Sequence, residues 1–378
     1  MKDSFHAIRP YNEKEASEAL QDIFEKDAFI KALALFEPNI SVERVMREFP
    51  NYKTIYDFQL SVAKDFVEYF IQNSTHGVEF EGLENVKKDE SYLFLANHRD
   101  IVFDTAVLQY YFMTNHYPTS KIAIGDNLLA TPLLEKIGRI NKMVTVKRSV
   151  SIREKLENYR LLSDYLHYSI RKEHESVWIA QRNGRTKDGI DQTQHGLVKM
   201  LSMSNPKQPL SALKELNIVP VTISYEYESC DRLKARELAL SENNHYEKQP
   251  GEDFESIQQG LFGQKGNVKL VIGTSLNAEL DQIDKNLPVK DIIDEVCKIA
   301  DQQIYKNYKL YSTHYIAYDY AEQKDEFKQY YSEKEQKDFL NYLNEQSEVD
   351  DVPQEKMLHY LLQIYANPVR VLYHKIDL

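Results

Sequence analysis

The sequence predicts an α/β protein in which a mostly parallel central sheet is flanked by helices, with helical extensions at both ends of the chain. From Glu79 onward, short apolar runs alternate with helical stretches, which is typical of parallel strands joined by crossover helices. Residues 1–76 show helical periodicity without a strand pattern. After about residue 284 the pattern again predicts helices, and the chain is rich in tyrosine.

These changes of pattern divide the chain into three regions. We expect an N-terminal helical region over residues 1–76, an α/β domain over 77–283 and a tyrosine-rich helical region over 284–378 that packs on it. The first region should contain helices over 12–36, after Ser41 and over 54–73. We interpret the tyrosines as structural, because their rings pack helices while their hydroxyls find polar partners.

Six runs of the α/β region are predicted to be strands: residues 92–96, 122–125, 143–147, 177–181, 218–225 and 268–273. Pro220 predicts that the fifth run is an edge strand or is irregular, since proline cannot donate to a sheet ladder. Each of the first four runs leads through a polar loop into a helix. Ligands of open α/β sheets bind at the carboxyl ends of strands, so these loops are where a site is expected.

Composition excludes several classes of protein. The 378 residues are 42% hydrophobic and 28% charged, as in an ordinary globular protein. The two cysteines, Cys230 and Cys297, are far apart and show no metal-binding spacing, which argues against disulfides and zinc. The N-terminus has no secretory pattern, and no apolar run approaches the roughly 20 residues of a spanning helix. We therefore expect a cytoplasmic protein without metal, other cofactor or nucleic-acid partner.

The net charge of -12 is unevenly distributed. Residues 121–187 contain fourteen Lys and Arg against seven Asp and Glu, a balance of +7, while the remainder carries -19. A basic segment in an acidic protein can receive a phosphorylated ligand or an acidic carrier protein. The alternative is a set of solvated helix faces.

The segment YLFLANHRDIVFDTAVLQYYF places His98 at the end of an apolar strand and before an apolar helix. Asp100 and Asp104 follow, and either could accept a hydrogen bond from the imidazole. A histidine held by a carboxylate is suited to act as a general base. Alternatively, Asp100 only caps the helix. A protein kinase is excluded, because Thr105 stands where the catalytic loop needs asparagine and the other kinase motifs are missing.

Two further loops carry cations. After the strand VWIAQ, Arg182, Asn183, Gly184 and Arg185 form a loop in which glycine allows close approach of an anion and arginine can grip phosphate. A polar turn with exposed charges is the alternative. The strand around Val144 ends in Lys147 and Arg148.

Taken in order, NHRDIVFD, the strand ending in Arg148, the RNGRT loop and Val219-Pro220-Val221 resemble the four sequence blocks of the phospholipid and glycerol acyltransferase family. The resemblance covers roughly residues 80–230. It implies the glycerol-phosphate acyltransferase-like α/β fold, with His98 as the base and Arg148 in contact with the acceptor's phosphate.

The sequence departs from the family pattern at two positions. Five residues separate His98 from Asp104 where the family has four, so the helix begins differently or Asp100 replaces Asp104. Asn183 stands where the family usually has glutamate, which removes a carboxylate but keeps hydrogen-bonding capacity.

The resemblance implies transfer of a fatty acyl group from acyl-CoA or acyl carrier protein to glycerol 3-phosphate, lysophosphatidate or a related lipid. The catalytic candidates are His98, Asp104 and Asp100. Such chemistry implies peripheral contact with the inner face of a membrane. The phosphate-binding candidates are Lys147, Arg148, Arg182, Asn183, Gly184 and Arg185.

Three alternatives stay open at this point. The chain could be a non-catalytic protein that binds lipid or acyl carrier on the same fold, which would explain Asn183. It could acylate an amino-acid-derived lipid. A serine hydrolase is disfavoured by the absence of a GxSxG motif.

Overall fold

The computed structural model describes residues 4–24, 42–48, 51–52, 54–129, 131–148, 152–242, 246–249 and 251–374. Within them, seven strands form one sheet and helices cover both of its faces. The strands are β1 Gly77–Glu81, β2 Leu93–Ala96, β3 Lys121–Gly125, β4 Met143–Val146, β5 Val177–Ala180, β6 Ile218–Tyr225 and β7 Asn267–Ile272.

The described helices precede the sheet, connect its strands and follow it. Before β1 lie α1 Glu13–Phe24, α2 Val42–Glu48, α3 Ile55–Phe58 and, after a π-helical turn at Gln59–Ala63, α4 Lys64–Ser74. Between β2 and β7 lie α5 Phe103–Thr114, α6 Pro132–Ile140, α7 Ile152–Tyr168, α8 His195–Leu201, α9 Pro209–Glu215, α10 Asp231–Ser241 and α11 Glu252–Phe262. After β7 lie α12 Asn277–Leu280, α13 Val289–Lys306, α14 Ser312–Glu322, α15 Glu333–Ser347 and α16 Gln354–His374.

The strand order is β1-β7-β6-β2-β5-β3-β4. All neighbouring strands are parallel except β6 and β7, which pair antiparallel. The carboxyl ends of β6, β2, β5, β3 and β4 therefore lie at one edge of the sheet. The expectation of a mostly parallel sheet flanked by helices is confirmed.

The central strands are buried on both faces, as in parallel sheets covered by crossover helices. Leu95 and Ile179 point to one face and pack against α7, α8 and α13. Phe94 and Trp178 point to the other and pack against α4 and α5. This alternation places side chains that follow β2 and β5 on defined sides of the sheet.

Pro220 predicted an edge strand or an irregular one, and the edge strand is wrong. β6 lies inside the sheet, between β2 and β7. Pro220 pairs with Leu95 of β2, and the antiparallel pairing with β7 begins only at Val221. Pro220 contributes its carbonyl oxygen, which accepts the N–H of Gly273 at 2.8 Å. Proline is tolerated in this interior strand because Pro220 lies before the first residue that pairs with β7, where its missing N–H breaks no bond of that ladder.

The first strand, β1, was not predicted. Its sequence GVEFE alternates exposed and half-buried positions and carries two glutamates, as an edge strand can. Part of the predicted helix over 12–36 lies outside the described residues, where α1 covers Glu13–Phe24. The boundaries at 76/77 and 283/284 stay a prediction, and α10 shares a hydrophobic cluster with α14, α15 and α16.

Candidate active site

The end of β2 is fixed by Asn97, whose side chain is completely buried. Its amide nitrogen donates to the carbonyl of Ile223 and to Asp191 Oδ2, both at 2.9 Å. Its amide oxygen accepts the N–H of Ile223 at 2.8 Å. These bonds join β2 to β6 beyond the last residues of the ladder. They fix the backbone from which His98 emerges.

His98 is paired with Asp104. The His98 Nδ1 atom lies 3.0 Å from Asp104 Oδ2, and the two side chains are 13% and 2% exposed. An ionised carboxylate can only accept hydrogen bonds, so Nδ1 carries the proton in this pair. The Nε2 atom then keeps its lone pair and can accept a proton from a ligand.

Three more donors converge on the Asp104 carboxylate. The N–H groups of Arg99 and Asp100 donate to Oδ2 at 2.7 and 2.9 Å. The hydroxyl of Tyr225 donates to Oδ1 at 2.6 Å. Burial and the adjacent Asp104 raise the pKa of Tyr225 well above its usual value, so this hydroxyl stays a donor. These contacts fix the Asp104 carboxylate in position beside the imidazole.

The additional residue between His98 and Asp104 is accommodated before the helix. Helix α5 begins at Phe103, which places Asp104 in its first turn, and residues 99–102 remain non-helical. The loop therefore returns the carboxylate to the imidazole despite the longer spacing. Asp104 is the partner of His98 in the structure.

Asp100 does not pair with the imidazole. Its Oδ1 atom accepts the N–H groups of Val102 and Phe103 at 2.8 Å each, and its Oδ2 atom accepts the hydroxyl of Ser229. Burial opposes its ionisation, but Lys265, Ser229 and the two amides outweigh burial and lower the pKa of Asp100. Asp100 thus caps the start of α5.

Arg99 belongs to a buried cluster of charges next to the His98–Asp104 pair. Its side chain is 1% exposed, and Nη2 and Nε donate to Asp191 Oδ2 at 2.7 and 3.2 Å. Its Nη1 atom donates to Glu228 Oε2 at 3.0 Å. Lys234 pairs with the same glutamate. Two cations and two carboxylates are thus buried together next to His98.

The loop after β5 touches His98 directly. The N–H of Thr186 donates to the His98 carbonyl at 2.7 Å, and its hydroxyl donates to Asp191 Oδ1 at 2.7 Å. Gly184 has a φ of 79°. In the described part of the chain, the N–H groups of Gly184 and Arg185 donate to no protein acceptor. They are available to an anionic ligand.

The six phosphate-binding candidates separate into two groups. Lys147, Arg148, Arg182 and Asn183 line one cleft of about 560 Å³ at the carboxyl edge of β3, β4 and β5. Gly184 and Arg185 are not among its lining residues. Arg185 is instead buried, with Nη2 donating to the Ser256 hydroxyl at 3.0 Å and Nη1 without a partner among the described residues.

The cleft combines apolar walls with a cationic rim. The walls are formed by Ala123, Val146, Leu162, Ile179, Leu197 and Met200. Within the described ranges, the guanidinium of Arg148 makes no hydrogen bond or ion pair, and Lys147 lies 4.0 Å from Asp126. Arg182 donates to the Ile190 carbonyl at 3.4 Å. Of the three cations, Arg148 is the one whose side chain has no partner in the described residues.

His98 does not line this cleft. The His98 ring contacts Trp178, with centroids 5.6 Å apart, whereas Ile179 lines the cleft. Ala180, the residue after Ile179, also lines the cleft. The His98–Asp104 pair and the cleft therefore both lie beside β5, at the same edge of the sheet.

Other cations of the basic segment are paired with acidic residues. Each pair joins separate parts of the structure: Lys121 with Glu173, Lys136 with Asp22, Arg171 with Glu215 and Lys187 with Glu237. The charges of these four cations are therefore balanced by carboxylates of the protein itself.

Sequence reasoning missed Asn97, Asp191, Tyr225, Glu228 and Lys234. Tyr225 ends a correctly predicted strand, so its place at the site edge could have been inferred. Glu228 and Lys234 follow that strand, but their pairing with Arg99 depends on tertiary packing. No local pattern predicts it.

In the part of the chain that is described, no helix is both long and apolar enough to span a bilayer. Over the same residues, no group of three or more His, Cys, Asp and Glu side chains is arranged to hold a metal ion.

One family model matches part of the chain. Residues 77–224 match the family model described as Acyltransferase. This segment contains His98, Asp104, Arg148 and Asn183. No curated protein matches the chain. Over residues 77–224, the resemblance to an acyltransferase family drawn from the four blocks is confirmed.

Three solved structures show a distant likeness to the chain. The 1-acyl-sn-glycerophosphate (LPA) acyltransferase PlsC from Thermotoga maritima is 15% identical, with a TM-score of 0.39 over 79% of this chain and 100% of that chain. The signal recognition particle receptor FtsY from Elizabethkingia anophelis, in complex with GDP, is 11% identical, with a TM-score of 0.23 over 75% and 93%. Chloroplast FtsY from Physcomitrella patens is 12% identical, with a TM-score of 0.22 over 75% and 96%.

Proposed function

We propose that the protein moves a fatty acyl group from a thioester donor to a hydroxyl of a glycerol-phosphate lipid precursor, because residues 77–224 match the Acyltransferase family model. The donor is acyl-CoA or acyl carrier protein, and the acceptor is glycerol 3-phosphate, lysophosphatidate or a related lipid. The observation that carries the proposal is the His98–Asp104 pair, which leaves Nε2 of His98 free to accept a proton.

In the proposed reaction His98 acts as the general base. Its Nε2 atom takes the proton of the acceptor hydroxyl as the oxygen attacks the thioester carbonyl carbon. The carbon–sulfur bond then breaks, and the imidazolium returns the proton to the departing thiolate. Asp104 orients the ring and stabilises its charged form. No acyl-enzyme is required.

The tetrahedral intermediate carries a negative oxygen that needs donors. The N–H groups of Gly184 and Arg185 have no protein acceptor among the described residues, and their loop is bonded to His98 through Thr186. Fixed donors that face a developing charge lower the barrier most effectively. We assign the oxyanion to this loop.

The phosphate of the acceptor would bind at the cationic rim of the cleft. Arg148 is the leading ligand because its guanidinium has no partner in the described residues, and Lys147 and Arg182 lie beside it. Asn183 would bind acceptor hydroxyls without the charge of the glutamate usual in this family. A substrate that reaches both the cleft and His98 would lie at the carboxyl end of β5.

The cationic rim of the cleft supports an acidic acyl donor. Coenzyme A and acyl carrier protein are both acidic, and the cleft has a cationic rim. A lipid product has to leave at an interface, so peripheral contact with the inner face of the membrane is part of the proposal.

The experiment is an acyl-transfer assay with a panel of substrates. Purified protein is incubated with acyl-CoA or acyl carrier protein donors and with glycerol 3-phosphate, lysophosphatidate and amino-acid-derived lipid acceptors, beside a His98→Ala control. We expect an acylated phosphorylated acceptor that the control does not form. Transfer only to the amino-acid-derived lipid would change the acceptor class. Binding of donor without turnover would overturn the enzymatic proposal.

A further inference from the structure

Two successive peptide groups hold the carboxylate of Asp104. The N–H groups of Arg99 and Asp100 both donate to its Oδ2 atom, at 2.7 and 2.9 Å. Successive backbone N–H groups that converge on one oxygen form an anion-binding nest. The nest requires that both peptide planes keep their orientation, because a rotated plane turns its N–H away from Asp104.

Each of these peptide groups is also held at its carbonyl oxygen. The group that contains the Arg99 N–H has the His98 carbonyl, which accepts the N–H of Thr186 at 2.7 Å. The next group has the Arg99 carbonyl, which accepts the ammonium of Lys234 at 2.7 Å. The carbonyl oxygen of each peptide group thus accepts a hydrogen bond from another part of the chain, which fixes the orientation of the peptide plane.

Lys234 is held in this place by buried charges. Its side chain lies on α10, is 1% exposed and pairs with Glu228. Glu228 also accepts from Arg99, which pairs with Asp191. The two positive and two negative charges balance. Packing alone does not require an ammonium here, since an apolar side chain of similar length would avoid the cost of burying a charge.

The C-terminal helices support the same cluster. The N–H of Glu228 donates to the hydroxyl oxygen of Tyr365 at 2.9 Å, and that hydroxyl donates to Asp231 at 2.7 Å. Tyr365 lies on α16, and Asp231 begins α10. The segment after β7 is therefore bonded to the helix that carries Lys234.

We infer that Lys234 is a positioning residue for the His98–Asp104 pair, acting through the peptide group between Arg99 and Asp100. Its ammonium fixes the plane of this group and draws electron density from it, which strengthens the N–H that Asp104 accepts. Asp104 then holds the His98 ring in one orientation. The effect on catalysis rests on the proposed function, whereas the effect on the imidazole hydrogen bond does not.

The test uses two variants and a matched control. Lys234→Met removes the ammonium, and Lys234→Met with Glu228→Gln removes it while keeping the buried cluster neutral. Lys121→Met is the control, because Lys121 is also a buried lysine, bonded to Ser169 at 3.0 Å and paired with Glu173. If the single variant does not fold, the double variant is used to test the role of Lys234.

Two readouts distinguish positioning from general loss of structure. The first is the proton on His98 Nδ1, observed by NMR in protein with isotope-labelled histidine and assigned as the signal missing from His98→Gln. The second is steady-state kinetics of acyl transfer. We expect the double variant to lose or shift the Nδ1 proton signal and to lower kcat about 10-fold or more, with KM changed by less than about 2-fold. The control, Lys121→Met, should keep the Nδ1 proton signal and the kinetic constants of the wild-type protein.

The outcomes separate this inference from the proposed function. An unchanged Nδ1 proton signal or a wild-type kcat in the double variant would overturn the role of Lys234, even if the wild-type protein transfers acyl groups. A changed signal in a protein that transfers no acyl group would uphold the positioning and reject the proposed reaction.

Discussion

Nδ1 of His98 lies 3.0 Å from Oδ2 of Asp104, although five residues separate them in the sequence. The longer spacing is absorbed by the non-helical residues 99–102, whose amides contribute to the binding of Asp104. The departure from the family spacing therefore does not prevent the pair from forming. Two aspartates in this segment have different structural roles, and this difference can be measured.

Asp104→Asn and Asp100→Asn should have different consequences. We expect Asp104→Asn to lower kcat by about 100-fold or more, because the neutral amide no longer fixes the proton on Nδ1. Asp100→Asn should mainly reduce the free energy of unfolding, by about 1–3 kcal/mol, since it weakens a buried helix cap next to Lys265. Steady-state kinetics and denaturant unfolding measure both. Equal kinetic losses in the two variants would count against the assignment of Asp104.

Arg148→Gln should weaken binding of a phosphorylated acceptor. The guanidinium has no protein partner among the described residues, so a bound phosphate would gain charge-assisted hydrogen bonds. We expect KM for the acceptor to rise about 10-fold with kcat little changed. Arg171→Gln is the control, because Arg171 pairs with Glu215 outside the cleft. A similar KM in both variants would remove Arg148 from the binding site.

Gly189→Ala should destabilise the loop that holds Asp191. Gly189 has a φ of 82°, and an added Cβ would collide with the carbonyl oxygen of Ile364 on α16. We expect the free energy of unfolding to fall by about 2–4 kcal/mol. Gly184→Ala is the comparison, since Gly184 has a φ of 79° but open space, and should cost about 1 kcal/mol. Equal losses in a denaturation experiment would show that the contact with Ile364 has no effect.

Sequence reasoning predicted the sheet well because its signals are local. All six predicted strands lie within one residue of the observed ends, since apolar runs bounded by polar loops mark buried strands. β1 was missed because GVEFE is short and half polar. The prediction of an edge strand from Pro220 failed because a proline can lie in an interior strand at a position where no N–H is needed for the ladder.

The candidate site could be proposed from sequence only where it follows strand ends. His98, Arg148 and Arg182 became candidates because each follows a predicted strand. The choice between Asp100 and Asp104 depended on where α5 begins, which sequence does not fix to one residue. Lys234 and Glu228 could not be linked to His98, because the contact with Arg99 joins segments more than a hundred residues apart.

Asp301 should make stability depend on pH. Burial raises the pKa of this carboxyl to about 7, although the N–H and hydroxyl of Thr193 oppose the shift. The pKa of Asp301 in the folded state lies above its unfolded value of 3.8, so the folded state binds the proton up to a higher pH than the unfolded state does. The free energy of unfolding therefore falls as the pH rises from about 4 to 7.

Asp301→Asn removes this dependence, because an amide can keep the contacts of a neutral acid with Thr193. We expect the variant to be more stable than wild type at about pH 8, by at most about 4 kcal/mol, and to differ little at about pH 4. Urea denaturation at both pH values measures this difference. A constant offset between the two proteins would show that Asp301 does not titrate in this range.

The rate of acyl transfer by His98→Gln tests the central claim most directly. Glutamine retains polarity and approximate size but cannot accept and return a proton as imidazole does. With the donor and acceptor that the wild-type protein uses best, we predict that kcat of the variant falls by about 1000-fold or more while its thermal unfolding is preserved. A folded His98→Gln variant that retains more than about a tenth of the wild-type kcat would contradict the assignment of His98 as the base.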